Sequence, residues 1–221
     1  MSSCLVTGAA RGIGLELCRG LRARGDTVIA TCRSASPELA ALSGVRRIEG
    51  LELTAPDASE RLAREVAGVH LDLVVHNAGI LARDGLADLD LAAIRAQLEV
   101  NALAPLRLTH ALLPNLGRGS KLAFITSRMG SIGDNGSGGY YGYRMSKAAL
   151  NAAAVSIARD LAPRGIAVVL LHPGFVRTGM TGGAGAVDPA DAARDLIARI
   201  DELTIEHTGR FLHASGEQLP W

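Results

Sequence analysis

Short apolar runs alternate with longer amphipathic stretches along the whole chain. Seven runs read as strands: Cys4–Thr7, Thr27–Thr31, Ile48–Leu53, Leu71–Val75, Leu122–Thr126, Ala167–Leu171 and Arg210–His213. The first six are bounded by Gly, Asn, Pro or a capping residue, as buried parallel strands tend to be. Between them, helical periodicity predicts helices over Ile13–Arg24, Asp57–Val66, Leu89–Leu113, Tyr143–Leu161 and Pro189–Ile200. Strands alternating with helices predict one α/β domain over residues 1–221, a doubly wound parallel sheet of about seven strands flanked by helices. Residues 1–115 form its first half and 116–221 its second. The glycine-rich stretches 130–142 and 179–185 read as loops inside that domain.

Composition narrows the class of protein. Hydrophobic residues make up 48% of the chain and aromatic residues only 3%, so the core is built from Ala, Val, Leu and Ile. That suits helices packed on a parallel sheet. The formal net charge is +1 and there is no basic run, which argues against nucleic acid and anionic membrane surfaces as partners. Cys4, Cys18 and Cys32 have no disulfide-framework or zinc-like spacing and read as buried thiols of a reducing compartment. The first apolar run reaches glycine at Gly8, and no later stretch is apolar enough to span a membrane, so the expected location is cytoplasmic. The six histidines share no ligand spacing, and no metal site is expected.

The first strand runs into Thr7-Gly8-Ala9-Ala10-Arg11-Gly12-Ile13-Gly14, with a helix opening at its end. A tight strand-to-helix turn also wants glycine, so the pattern alone is weak. Its place after the first strand of an alternating chain points to a Rossmann-type dinucleotide site. There, glycines let a pyrophosphate approach the backbone, and the helix start stabilises its charge. The second strand ends Thr31-Cys32-Arg33 with no acid to bind an adenosine ribose, and Arg11 lies within the loop. Arginines on loops are usually solvated surface residues, but two of them flanking the expected ribose site favour NADP(H) over NAD(H).

Tyrosines 140, 141 and 143 occur together, and only Tyr143 has a lysine, Lys147, four residues on. The pair shares a helix face. A phenol is a poor base at neutral pH, and an adjacent cation favours the phenolate. An ordinary surface contact is the bland reading of such a pair.

The glycine loop, Asn77-Ala78-Gly79, Ser127, Tyr143-Arg144-Met145-Ser146-Lys147 and His172-Pro173-Gly174 occur in the order seen in short-chain dehydrogenases/reductases. The resemblance covers essentially the whole chain. Tyr141–Asn151, Pro173–Thr178 and the stretch from Gly209 to Trp221 look like the C-factor and sniffer-type carbonyl reductases. The resemblance implies that Tyr143 is the proton donor and acceptor, and that Lys147 binds the nicotinamide ribose and lowers the tyrosine pKa. It implies that Ser127, rather than Ser131, polarises the substrate. Gly8, Arg11, Gly12, Ile13, Gly14 and Arg33 then hold the cofactor phosphates, and Asn77, Ala78 and Gly79 lie under the adenosine. Pro173, Gly174, Val176 and Thr178 flank the carboxamide. Glu52 and Leu53 end the third strand at the adenine, where a shorter Asp is usual. Asn101 matches a fourth residue that anchors a relay water. Pro105, four residues on, has no N–H for the Asn101 carbonyl, which predicts a kink that leaves that carbonyl free. Two short helices broken at the proline are the alternative.

The expected activity is hydride transfer between nicotinamide and a small carbonyl or alcohol substrate. A cofactor-sensing regulatory or interaction protein on the same fold is the alternative. Residues 179–188 predict an open pocket or a lid that orders on binding. The apolar girth of the helix after Tyr143 predicts a homodimer or homotetramer, with Trp221 packed in a subunit contact rather than frayed.

Overall fold

The computed structural model describes residues 1–221. Seven strands form one parallel sheet: β1 (Ser3–Thr7), β2 (Thr27–Thr31), β3 (Val45–Ile48), β4 (Leu73–His76), β5 (Lys121–Ile125), β6 (Ala167–His172) and β7 (Arg210–His213). Their order is β3-β2-β1-β4-β5-β6-β7. The chain therefore winds outward from β1 in one direction, then restarts at β4 and winds the other way. The Cα of Cys4 sits between Val28 of β2 and Leu73 of β4. At such a reversal the loops after β1 and β4 part, leaving a crevice at the carboxyl ends of the strands.

Both faces of the sheet are covered, which is why its strands read as continuous apolar runs. Successive residues of one strand go to opposite layers. Leu5, Leu122 and Phe124 pack in one core with α3 (Ala58–Glu65), α5 (Ala104–Ala111) and α6 (Tyr141–Leu161). Cys4, Val6, Ala123 and Ile125 pack in the other with α1 (Gly12–Ala23) and α7 (Pro189–Asp201). All three cysteines are buried free thiols in that second layer, and burial pushes Cys4 and Cys18 up to about 12. No helix is long and apolar enough to cross a membrane.

Three elements differ from the sequence pattern. The third strand is Val45–Ile48, not Ile48–Leu53. It lies at the sheet edge with Arg46 and Arg47 exposed, so its apolar signal is only the flanking Val and Ile. Past Gly50 (φ +68°) the chain still pairs irregularly with β2, Gly50 N–H donating to Arg33 O and Leu51 N–H to Cys32 O. Glu52 and Leu53 thus lie beyond the strand rather than at its end. A short helix, α2 (Pro37–Ala40), follows β2, capped by Ser36 Oγ. Finally, the long third helix is α4 (Leu91–Leu98) continued through a π-helical turn, Glu99–Leu103, into α5. Ala104 N–H reaches back five residues to the Glu99 carbonyl. The widened turn accommodates the Pro105 ring, so the expected kink is a bulge within one continuous helical run.

Leu17 of α1 is fully buried in the second layer. Leu17→Ala is expected to lower unfolding stability by about 2–5 kcal/mol, measured by urea denaturation.

Candidate active site

The loops after β1 and β4 are joined by hydrogen bonds. Thr7 Oγ1 accepts from the backbone N–H of Asn77 (3.0 Å) and Ala78 (3.1 Å). Asn77 Nδ2 donates to the carbonyls of Thr7 (2.9 Å) and Gly8 (3.2 Å). This contact leaves no space for a side chain at Gly8 or Gly14. A Cβ on Gly14 would overlap the Gly8 carbonyl oxygen and lie 2.5 Å from Asn77 Nδ2, and one on Gly8 would lie 2.8 Å from the Ala78 Cα. Gly8 (φ +67°) and Gly12 (φ +56°) also take left-handed backbone that other residues resist.

Helix α1 opens at Gly12 with no side-chain cap and no acid in its first turn. Its N–H groups and dipole are left for an anion. The cradle therefore fits a dinucleotide pyrophosphate. Thr178 lies over the same loop, its Cγ2 3.3 Å from where a Gly12 Cβ would be. The segment containing Pro173, Gly174 and Val176 is thereby brought to the cradle, with Gly174 at φ +88° and Val176 buried and bridged to Val187. Ile13 packs on the second core layer. Residues 179–188 fold back rather than hang free: Arg177 bonds Asp188 (2.8 Å) and the Gly185 carbonyl (3.0 Å), and Ala186 N–H donates to Phe175 O (2.8 Å).

At the far end of the crevice Arg11 is exposed, and Arg33, 71% exposed, lies 3.5 Å from Glu52. No spacing or periodicity signals that these two would face each other. Leu53 turns inward instead, its side chain against the core and its carbonyl accepting from Arg107 (3.1 Å).

Tyr143, Lys147, Ser127 and Asn101 are all buried, the last with no exposed surface. Lys147 Nζ donates to the Ile125 carbonyl (2.8 Å) and lies 5.8 Å from the Tyr143 ring centre. Ser127 Oγ, at the end of β5, accepts from Met129 N–H (3.1 Å). Ser131 Oγ is instead occupied by Asp134 N–H (3.0 Å), within its own loop. A Cβ on Gly79 would lie 3.2 Å from Asn101 Oδ1 and 3.7 Å from Lys147 Nζ. The Asn77–Gly79 turn and the lysine therefore share a corner. Asn101 spends its whole side chain on structure: Oδ1 accepts from Ile80 N–H (2.8 Å), and Nδ2 donates to Ile80 O and Ser146 Oγ (2.9 Å each). Ser146 Oγ in turn donates to the Tyr143 carbonyl (2.8 Å). Pro105, four residues on, brings no N–H to the Asn101 backbone carbonyl.

Burial dominates the electrostatics here. It pushes Tyr143 up to about 12, opposed by a hydrogen bond with Ser127, and it pulls Lys147 down to about 8. Desolvation is thus the larger influence on Tyr143, and the Ser127 hydrogen bond is the one that lowers it. Burial also pulls His76 and His172 down to about 3, so both are neutral. Thr109 Oγ1 lies 2.8 Å from Pro105 O and 3.0 Å from His76 Nε2, and the His76 ring stacks on Phe124. His172 packs edge-on against His213.

Two contributors were missed from sequence. Ser146 lies inside the Tyr143–Lys147 segment, where its link to Asn101 is a tertiary contact. Asp84 holds the start of α6: its carbonyl accepts from Tyr140 N–H (3.0 Å) and its Oδ2 from Gly142 N–H (3.0 Å). Tyr140 is the one non-glycine residue with left-handed φ (54°).

Residues 2–187 match the short chain dehydrogenase family. The chain belongs to this family. It is 44% identical, over the full length of both chains, to 1-hydroxy-2-glutathionyl-2-methyl-3-butene dehydrogenase of Rhodococcus sp.. Among solved structures it resembles the carbonyl reductase Sniffer of D. melanogaster, with 29% identity, full coverage of both chains and a TM-score of 0.92. It also resembles an NADPH-bound carbonyl reductase from chicken fatty liver, with 29% identity, a TM-score of 0.89, and coverage of 100% of this chain and 99% of that one. This short-chain dehydrogenase is an oxidoreductase with a Rossmann-type sheet, of the sniffer type.

Because Gly14 has no room for a Cβ, Gly14→Ala is expected to weaken NADPH binding by roughly tenfold or more, the equivalent of one lost charge-assisted hydrogen bond. Fluorescence titration of NADPH checks this.

Proposed function

We propose that the protein interconverts carbonyl compounds and alcohols with NADP(H) as hydride partner. The observation that carries the reading is the burial of Tyr143, Lys147 and Ser127 in one corner that the Asn77–Gly79 turn also enters. A nicotinamide dinucleotide, when bound, supplies or takes the hydride. Gly8, Arg11, Gly12, Ile13 and Gly14 would hold its phosphates, Asn77, Ala78, Gly79 and Leu53 its adenosine end, and Pro173, Gly174, Val176 and Thr178 its carboxamide.

The chain's own groups then handle the oxygen and the proton. Ser127 donates a hydrogen bond to the substrate oxygen, and Tyr143 gives it a proton in reduction or takes one in oxidation. Its raised pKa keeps the phenol protonated at neutral pH, ready to act as the acid. Lys147, lowered to about 8 and fixed by Ile125, is poised to exchange protons near neutrality. A water on the Asn101 carbonyl connects it to solvent.

The NADP(H) preference is supported by Arg11 and Arg33 and by the NADPH-bound neighbour. Glu52 is less an adenine ligand in this reading than the resting partner of Arg33. An ion pair this exposed costs at most about 1 kcal/mol to open, less than a phosphate returns. The name of the Rhodococcus relative places alcohol oxidation alongside carbonyl reduction as a direction to test. Self-association belongs to the same proposal, because Ala148, Ala149 and Val155 on α6 stay only partly buried.

Tyr143→Phe is expected to abolish NADPH oxidation across a panel of aldehydes, ketones and diketones while NADPH still binds. Retained turnover would remove the tyrosine from its role, and binding without turnover by the unaltered protein would favour a sensor. Arg33→Ala is expected to raise the KM for NADPH and leave that for NADH unchanged.

The pH dependence has a definite sign. As a base, Tyr143 must lose a proton from a raised pKa, so alcohol oxidation is expected to climb as pH rises from 7 through the Lys147 value of about 8. Reduction, which uses the protonated phenol, is expected not to climb over the same interval. Initial rates in both directions across that range check it.

A further inference from the structure

The loop of residues 131–139 runs from the turn after Ser127 to α6, which carries Tyr143. Its two ends therefore start beside the two groups proposed to touch the substrate oxygen, and its course between them decides how far it flanks the site. Residues 132–138 are exposed, and the loop contains Gly133, Gly136, Gly138 and Gly139. Such a segment loses much freedom on ordering, and its position depends on outside anchors.

It has anchors at both ends. On one side Arg144 of α6 donates to Gly139 O (3.1 Å) and Ser137 Oγ (2.8 Å). On the other the anchors come from segment 214–221. Gly133 N–H donates to the Trp221 backbone oxygen (2.8 Å). Arg128 bridges the two strips, its Nη2 3.1 Å from both carboxylate oxygens of Glu217 and its Nε 3.2 Å from Asp134 Oδ2.

That segment is itself fixed on β7. Leu219 is buried and its N–H donates to Phe211 O (2.9 Å), His213 N–H donates to Glu217 O (2.8 Å), and the Trp221 ring stacks on Phe211 at 5.5 Å. Trp221 is thus neither frayed nor free, although half of its surface remains exposed. Next to the anchored Gly133, the loop presents Ile132, 82% exposed.

We infer that segment 214–221, through Trp221 and Glu217, sets the substrate-side wall of the site and so determines which carbonyl shapes are admitted. This rests on the proposed activity, with Trp221 and Glu217 as positioning residues. Releasing the anchor lets the loop move outward, at the expense of small substrates that need a close wall and to the benefit of bulky ones.

The test compares Trp221→Ala and Glu217→Gln with the unaltered protein, using nitrobenzaldehyde as a small probe and phenanthrenequinone as a large one, with NADPH. The ratio of kcat/KM for the two probes is expected to shift toward the quinone by on the order of tenfold, the effect of a methylene-sized misfit. The shift should lie in KM, with NADPH affinity unchanged. Amide exchange of the NADPH-bound protein should speed up across residues 132–139. An unchanged ratio, or an equal loss for both probes together with weaker NADPH binding, would overturn the inference. If the unaltered protein turns over neither probe, it is the proposed activity that fails. Amide exchange then still decides whether the segment holds the wall, and unchanged exchange there rejects it.

Discussion

The arrangement of this protein depends on the close approach of two loops across the reversal in strand order. Thr7 and Asn77 tie the end of β1 to the end of β4, and Gly8 and Gly14 let the backbones meet. If side chains stood between them, α1 would start further from the sheet and its N–H groups would no longer face the crevice. Because the strands are parallel, all their following loops gather at one edge. Fixing the first two therefore fixes where the ends of β5 and β6 must meet them. A hollow lined by Ala67, His70, Pro114 and Asn115 lies at the opposite edge, before β4 and β5, and carries none of this chemistry.

At the corner of Tyr143 and Lys147, the protein buries two ionisable groups without giving either a charged partner. Burial of this kind is destabilising for the charged forms, so the phenol is held neutral and the ammonium is brought toward neutrality. The arrangement persists because its nearest neighbours are hydrogen-bonded to one another. Asn101, Ser146 and the Tyr143 carbonyl form a chain, and Ile80 is clamped on both its backbone groups. The π-turn is what brings Asn101 into this chain, and Asp84 holds the start of α6 from the other side.

Much of this was legible in the sequence because it depends on local residue type. The positions of β1, β2 and β7, the glycine loop and the spacing of Tyr143 and Lys147 are all short-range signals. The third strand was misread because an edge strand shows Arg46 and Arg47 to solvent and loses its apolar run. The expected kink at Pro105 became a bulge because helix geometry can absorb one extra residue per turn, a choice made by packing rather than by the proline. The pairing of Arg33 with Glu52, the strain at Tyr140 and the chain from Asn101 to Ser146 all join residues distant in sequence, and no periodicity announces such contacts. Nor could spacing alone show that desolvation dominates at Tyr143 and Lys147.

The folding of segment 214–221 onto β7 has a consequence for the molecule among its own copies. An outer strand leaves a row of backbone donors and acceptors open to a strand from another chain, the usual start of edge-to-edge aggregation. Here Glu217, Gln218 and Leu219 occupy part of that row on β7. At the other margin β3 is four residues long, with two arginines outward and Gly50 breaking the ladder behind it. Both margins of the sheet are thus poor templates for further strands, one because it is covered and the other because it is short and charged.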